Sequence, residues 1–482
     1  MEDNKKEQVI DYRFLARIII EAATPLAVHS GEKVVQTDAI VIRDVNGLPY
    51  IPGSSIAGVI RHAWKDAGND VDQLFGFQKN PMLVKKEDPD GMGSRIIFSE
   101  ARILNSQGQV VDGLKPDEIS KDSLLSHYAD LPIRQHVRID YRGVAADSGK
   151  FDEQVVFTGT RFCFEMEMIG NKSEKETFNQ LLAILNQSTF RLGGGSRKGF
   201  GKISVVNIQY VSLSFNDNDA YLKKSSNLEE NRKWYNERTE ELPKADSLNR
   251  PVEKLCYQLR PEDFFLFGSG FGDDDADMTP VKEQKVIWKD GKGELTAYEY
   301  LIPASSVKGA LAHRTAFHYN QIRTDEQGNP DPFYADGKTP EEIEAHTGTN
   351  NEAVRLLFGC EGDEKGGGKQ RGNVLISDMF IKSAQDKILN HVAIDRFTGG
   401  AIDGALFSEK AAYWHCDKQD DYPLRLEILI DEKNIDKMDK TKVKEKALKA
   451  FEMALDDLCN GLLPLGGGVN RGHGIFNGKK CN

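Results

Sequence analysis

The chain has 482 residues, too many for one hydrophobic core, so more than one domain is expected. Its 39% hydrophobic and 29% charged content is that of an ordinary water-facing protein, and no apolar run approaches the ~20 residues that span a bilayer. A formal charge of −12 argues against a uniformly basic, nucleic-acid-coating surface. It leaves room for a local basic groove beside acidic insertions such as Asp273–Asp277, Glu341–Glu344 and Asp417–Asp421.

Residues 1–14 lack the apolar stretch of a signal peptide. The six cysteines are scattered, with no C-x-x-C, which fits a reducing cytoplasm and argues against a disulfide framework or a zinc ribbon. Tyr12–Ala27 is apolar and β-branched and predicts a first core strand, followed by a polar loop over 29–35. A short strand is expected over Thr37–Asp44, then a hairpin-type turn at Asn46-Gly47. Pro49–Ser55 leads into a helix capped by Ser54 or Ser55, with Ile56, Val59, Ile60 and Ala63 on one face. Leu74-Phe75-Gly76 closes that region.

Arg95–Leu104 predicts a strand. Residues 105–160 are polar and irregular and hold the phrase HVRID at His136–Asp140. Thr160–Ile169 alternates apolar and charged residues, as a half-exposed strand does. A helix over Phe178–Leu185, a glycine-rich loop over Phe190–Gly201 and a strand over Ile203–Val211 follow. The order is strand, helix, strand, excursion, strand, helix, strand. It predicts an α+β, RRM-like (ferredoxin-like βαββαβ) domain with a large insertion.

Residues 212–250, dense in Asn, Lys, Glu and Ser, are expected to be a linker. The order then repeats. Strands are expected at Leu255–Arg260, Asn373–Ile381 and Leu424–Ile430, and helices at Pro303–His318 and Thr441–Asn460.

Three phrases recur in the same order. IPGSSIAG at 51–58 returns as IPASSVKG at 302–309; HVRID returns as HVAID at 391–395; LGGGSRKGFG at 192–201 returns as LGGGVNRGHG at 465–474. The chain therefore reads as two copies of one domain, 1–211 and 251–482.

Each phrase has a bland use and a chemical one. A helix start exposes N–H groups and a positive dipole end, a seat for phosphate, so Ser54, Ser55, Ser305 and Ser306 are candidates for RNA contact as well as caps. Lys308 stands where the first copy has Ala57, and Arg61 lies one turn on. The glycine-rich loops are neither a Walker loop nor a dinucleotide fingerprint. Their glycines (Gly194, Gly195, Gly467, Gly468) let backbone approach a phosphodiester chain, and Arg197, Lys198 and Arg471 add charge. In the insertions, His136, Arg138, Tyr141 and Arg142, and then His391, Arg396 and Phe397, combine cations with rings, the mix that packs against displaced bases. No zinc constellation, Ser/His/Asp triad or H-E-x-x-H motif is visible.

The I-P-[GA]-S-S-x-x-G helix start, the L-F-G after it and the G-G-G-x-x-[RK]-G-x-G loop resemble the RAMP superfamily of CRISPR-associated proteins, specifically the Cas-seven-type backbone subunits of type III effector complexes, here as two fused copies. The resemblance implies stacking along guide CRISPR RNA beside neighbouring backbone subunits and a large polymerase-like subunit. It implies a thumb-like hairpin that displaces one nucleotide of the guide–target duplex, and an aspartate before the P-x-S-S helix that cuts the target RNA with Mg²⁺ or another divalent cation. Asp38 heads Asp-Ala-Ile-Val-Ile-Arg-Asp and matches that aspartate closely. Asp277 is its looser counterpart, with Asp273, Asp274 and Asp275 as neighbours; Asp38 and Asp277 are thereby also the expected metal ligands. A cytoplasmic RNA-guided endoribonuclease with two cutting sites follows. A non-catalytic RNA-binding scaffold and a guide-processing endoribonuclease are the alternatives.

Overall fold

The computed structural model describes residues 10–32, 37–78, 91–241, 252–325, 327–360, 369–415, 421–439 and 442–481. The end of the expected linker (242–250), residues 33–35 of the first polar loop, Cys416 and residues 417–420 of an acidic run lie outside them.

The first half is built on strand β1 (Tyr12–Ala22), the IIIEA-ending run predicted as core. Helix α1 (Gly53–Asp66) buries Ile56, Ile60 and Trp64 against the sheet. Strand β2 (Ile96–Phe98) follows. A hairpin of β3 (Ile133–Ile139) and β4 (Ala145–Gln154) rises out of the domain before β5 (Arg161–Gly170). Helix α2 (Lys175–Ile184) and β6 (Ile203–Ser214) complete the unit. The sheet order is β2-β5-β1-β6, with every pair antiparallel.

The second half repeats this plan. Strand β7 (Glu253–Pro261) leads to helix α5 (Ala304–Ile322) and strand β8 (Val374–Ile376). A longer hairpin, β9 (Gln385–Ile394) and β10 (Ala401–Tyr413), precedes β11 (Leu424–Ile430). Helix α6 (Lys444–Cys459) and β12 (Phe476–Lys480) close it, in the order β8-β11-β7-β12. Ala447, Ala450, Phe451, Ala454, Leu455 and Leu458 fall on one stripe of α6 at helical spacing, which is why this segment docks as a helix. Each half has an apolar core, the first completed by Val286 of the second half.

Several expectations change. Thr37–Asp44 is not a strand; the chain there makes isolated bridges, His29 to Val41 and Arg43 to Pro49, and single hydrogen bonds to the hairpin. The turn at Asn46-Gly47 forms as expected, with Gly47 at φ 76°. Neither serine pair caps its helix. Pro52 and Pro303 occupy the cap positions, and the serines sit inside the first turn. The segment Asn373–Ile381 splits between two sheets, β8 on β11 and Met379–Ile381 on Glu299–Ile302.

Strand β5 is buried on both faces rather than half exposed, because 215–238 folds back over it. Helices α3 (Asn218–Leu222) and α4 (Asn231–Arg238) pack Trp234 and Tyr235 onto Leu15, Val211 and Leu213. The buried charges of β5 find partners there. Asn231 Nδ2 donates to Glu165 Oε1 at 3.0 Å, Lys224 Nζ lies 2.8 Å from Glu165, and Tyr221 Oη donates to Glu167 at 3.1 Å. Much of the polar stretch expected as linker is thus a lid on the outer sheet face. Finally, Cys256 on β7 and Cys481 after β12 are joined as a disulfide, Cα to Cα 5.3 Å. Adjacent strands bring together two cysteines that sequence separation alone sets apart.

The halves meet across a polar seam. Arg134 of β3, only 4% exposed, forms a two-pronged pair with Glu283 (2.6 and 2.7 Å) and reaches Asp378 at 2.8 Å. Asp378 also accepts from Ala304 N, the first residue of α5, at 2.7 Å. The glycine-rich loop of the first half packs on that same helix start. Gly199, at φ 96°, has room for no Cβ, which would come within 2.5 Å of the Ala304 methyl carbon. The two recurring motifs thus touch each other across the copies.

Candidate functional site

Asp38 and Asp277 occupy matching places at the root of a hairpin. Asp38 N donates to Asp152 Oδ1 at 2.8 Å, and Asp152 N returns a bond to Asp38 Oδ2 at 3.2 Å. Asp277 N donates to Ser408 Oγ at 3.2 Å, and Ser408 N and Oγ return bonds to Asp277 Oδ2 at 2.7 and 3.0 Å. The next residues pair likewise: Gln154 N donates to Ala39 O, and Lys410 N to Met278 O. Both aspartates are exposed. The backbone N–H and hydroxyl of Ser408 hold the Asp277 carboxyl below the usual carboxylate range.

This equivalence selects among the four acidic residues of the second loop. Asp273 and Asp275 both hold Lys410 Nζ, at 2.5 and 2.8 Å, and Asp274 is exposed. Asp277 alone has the reciprocal clamp of Asp38.

Immediately behind each clamp lies a buried glutamate. Glu153 follows Asp152, and Glu409 follows Ser408; they are 4% and 0% exposed. His136 Nε2 lies 2.8 Å from Glu153 and Lys198 Nζ 2.5 Å. His391 Nε2 lies 3.0 Å from Glu409 and Arg471 Nη2 2.6 Å. Each histidine stacks on the phenylalanine two residues before the glutamate, His136 on Phe151 and His391 on Phe407, with ring centres 4.9 and 4.7 Å apart. Burial alone would raise the Glu153 carboxyl, but the hydrogen bonds from His136 and Lys198 outweigh it and hold it down at about 2.

Four of the expected RNA contacts, His136, Lys198, His391 and Arg471, are therefore engaged by carboxylates of the protein itself. Gly194 N and Gly467 N are engaged too, donating to Ala27 O and Leu266 O at 2.7 Å each, while Gly195 and Gly468 take left-handed φ to turn the loop. Arg138, Arg142, Arg396 and Phe397 project from the hairpins into solvent, with Tyr141 half-buried. Arg142 Nε bonds Asp140 at 2.8 Å. Ser54 and Ser306 are exposed on their first helical turns, and Ser55 and Ser305 half-buried. Arg61 faces Asp72 at 3.6 Å on the outer side of α1 and does not take the place of Lys308.

Lys308 instead lies buried at the seam, its Nζ 3.3 Å from Val374 O. Burial pushes the ammonium down to about 7, and Arg197 and Arg371 add to this. Arg371 acts also on Arg191, which burial and that neighbour bring down to about 10. Cations of both halves thus gather where the glycine-rich loop of one meets the helix start of the other.

The residues missed in the sequence are Asp152, Glu153, Ser408 and Glu409 in the clamps and Arg134, Arg191, Arg371 and Asp378 at the seam. A signal for the first set exists: Phe-Asp-Glu at 151–153 and Phe-Ser-Glu at 407–409 follow HVRID and HVAID in turn. The seam residues have none, because their place beside the other copy is set by the fold and not by a local pattern.

Among the described residues no three His, Cys, Asp or Glu side chains gather into a metal-holding group. The donor set, two adjacent carboxylates in the first half and one beside a hydroxyl in the second, fits a Mg²⁺ ion that takes its remaining ligands from phosphate and water.

Two tandem antiparallel α+β units, each with a hairpin rooted on a clamped aspartate and a basic glycine-rich loop, define a duplicated α+β protein. The family model of the RAMP superfamily matches residues 19–204 and again 286–477, and the chain belongs to that superfamily, as two fused copies. RAMP proteins act in CRISPR-associated RNA–protein complexes. The second match begins after β7, and the sheet shows β7 to be that half's first strand. No curated protein matches the chain.

Proposed function

We propose that this protein is a backbone subunit of a type III CRISPR effector complex that seats guide RNA and cuts complementary target RNA at two places, once per half. The observation that carries the proposal is the matched pair of clamps, which sets one exposed carboxylate at the root of each hairpin. The strand order of both sheets supports reading each half as an RRM-like, ferredoxin-like domain, and the hairpins as the thumbs that displace one nucleotide of the duplex.

The nucleophile is built into the substrate. Once a nucleotide leaves the stack, its 2′-oxygen reaches the in-line position behind the adjacent phosphorus, forms the new P–O bond and expels the 5′-oxygen of the next nucleotide, which takes a proton from water. Asp38 or Asp277 orients the 2′-hydroxyl and accepts its proton. Asp38 with Asp152, and Asp277 with Ser408, would hold Mg²⁺. The ion would supply positive charge to the phosphate in the transition state. The exposed Arg138, Arg142, Arg396 and Phe397 serve the displaced nucleotide, and Arg197 and Arg371 the guide phosphates. Such a protein works in the cytoplasm beside the other effector subunits.

The complex assembled on guide RNA and given labelled complementary RNA tests the proposal. Two cuts that need Mg²⁺, stop with EDTA and leave 2′,3′-cyclic phosphate ends are expected. Target that is bound but intact would make the chain a scaffold. Cutting of precursor guide alone would make it a processing ribonuclease.

A further inference from the structure

We propose that Glu153 and Glu409 are positioning residues for the two cuts, each tying the glycine-rich loop of its half to the aspartate that performs the chemistry. The inference rests on the cleavage reading and goes beyond it. It starts from a cost. A carboxylate taken out of water is expensive, and a well-packed apolar side chain would stabilise the same site as well or better. Stability alone therefore does not call for a buried glutamate, yet both halves place one at the same point.

What the glutamates join is specific. Glu153 lies on the return strand of its hairpin, His136 on the outgoing strand and Lys198 in the glycine-rich loop. Glu409, His391 and Arg471 repeat this with a different cation. Both cations also lie over the phenylalanine beneath the histidine, Lys198 Nζ 4.5 Å from Phe151 and the Arg471 guanidinium 5.6 Å from Phe407. Successive residues of a strand point to opposite sides. Pinning Glu153 from behind thus fixes Asp152 in front, and Asp152 holds Asp38 through two bonds, each from the backbone N–H of one to the carboxylate of the other. The same chain of contacts runs from Arg471 through Glu409 and Ser408 to Asp277. A shift of the loop when phosphate docks on it passes along this route to the carboxylate.

Glu153→Gln keeps the size of the side chain and removes the charge that gathers His136 and Lys198. In the assembled complex with labelled complementary RNA, it is expected to slow the product made by the first half by about tenfold or more, the range for outer partners of a catalytic group. The second product and target affinity are expected to stay at wild-type values. Glu409→Gln should give the mirror image. Wild-type rates at the altered site, or equal slowing of both cuts with weaker target binding, would overturn the proposal. Asp38→Asn and Asp277→Asn run in parallel separate two failures. Products that persist in those variants overturn the cleavage reading and this inference with it. Products lost there but untouched in the glutamine variants overturn this inference alone. If Glu153→Gln does not assemble, Lys198→Gln and Lys198→Arg replace it: the first should slow the first cut and the second restore it, and equal rates in the two would count against the proposal.

Discussion

Ser408 shows how much one side chain sets at the second aspartate. Its backbone N–H and hydroxyl both donate to Asp277, and together they keep the carboxylate ionised to lower pH. Ser408→Ala removes the hydroxyl donor, and the acceptor of Asp277 N with it, and leaves the backbone N–H bond. The acid limb of the second cut's pH–rate profile should then move to higher pH, while the first cut, held by Asp152, keeps its profile. Lys308 offers a second residue-scale test. Folded, it gives up its proton at about pH 7, whereas the ordinary lysine value is 10.5. Between those values the unfolded chain carries the extra proton, so this group makes stability rise with pH across that window and adds nothing above it, by at most about 1.4 kcal/mol per pH unit. Urea midpoints measured from pH 7 to 10 should climb more steeply for the wild type than for Lys308→Met. Parallel curves would show that burial does not lower this lysine.

At the scale of elements, the seam depends on Arg134. Its guanidinium is the shared partner of Glu283 and Asp378, and Asp378 in turn closes the first N–H of α5. Arg134→Ala leaves two acids without that cation, and removing one side of a buried pair costs about 3–5 kcal/mol. Lower thermal stability and faster proteolysis between the halves are the expected readouts. Gly199→Ala should act in the same direction by pressing a methyl group against Ala304. The alternation and helical spacing that predicted β1, α1, β11 and α6 come from burial within one domain, so these elements were legible in the sequence. The lid over β5 was not, because α3 and α4 are polar segments held by a few aromatic anchors, Trp234 and Tyr235, and by charges on the strand beneath. The first helix's cap was expected at Ser54 or Ser55 but falls on Pro52, and the second helix, expected from Pro303, starts at Ala304 with Pro303 as its cap. Asp38 and Asp277 were legible as motif positions. Their clamps were not, since the partners lie 114 and 131 residues away.

For the whole molecule, the charge of −12 and an RNA partner are compatible because the cations are placed rather than numerous. Arg191, Arg197, Lys308 and Arg371 meet at the seam, whereas the acidic run at 273–275 is partly balanced by Lys410. Arg371→Gln should weaken guide binding without regard to sequence and lower the slope of log affinity against log salt by about one. The central claim is that each half carries one cutting aspartate. The most direct measurement maps the fragments of a single labelled target RNA cut by the complex assembled with Asp38→Asn, Asp277→Asn or both. The expected result is that each single variant loses a different fragment, and that the double variant binds target and leaves it intact. A fragment pattern unchanged in both single variants would contradict the claim.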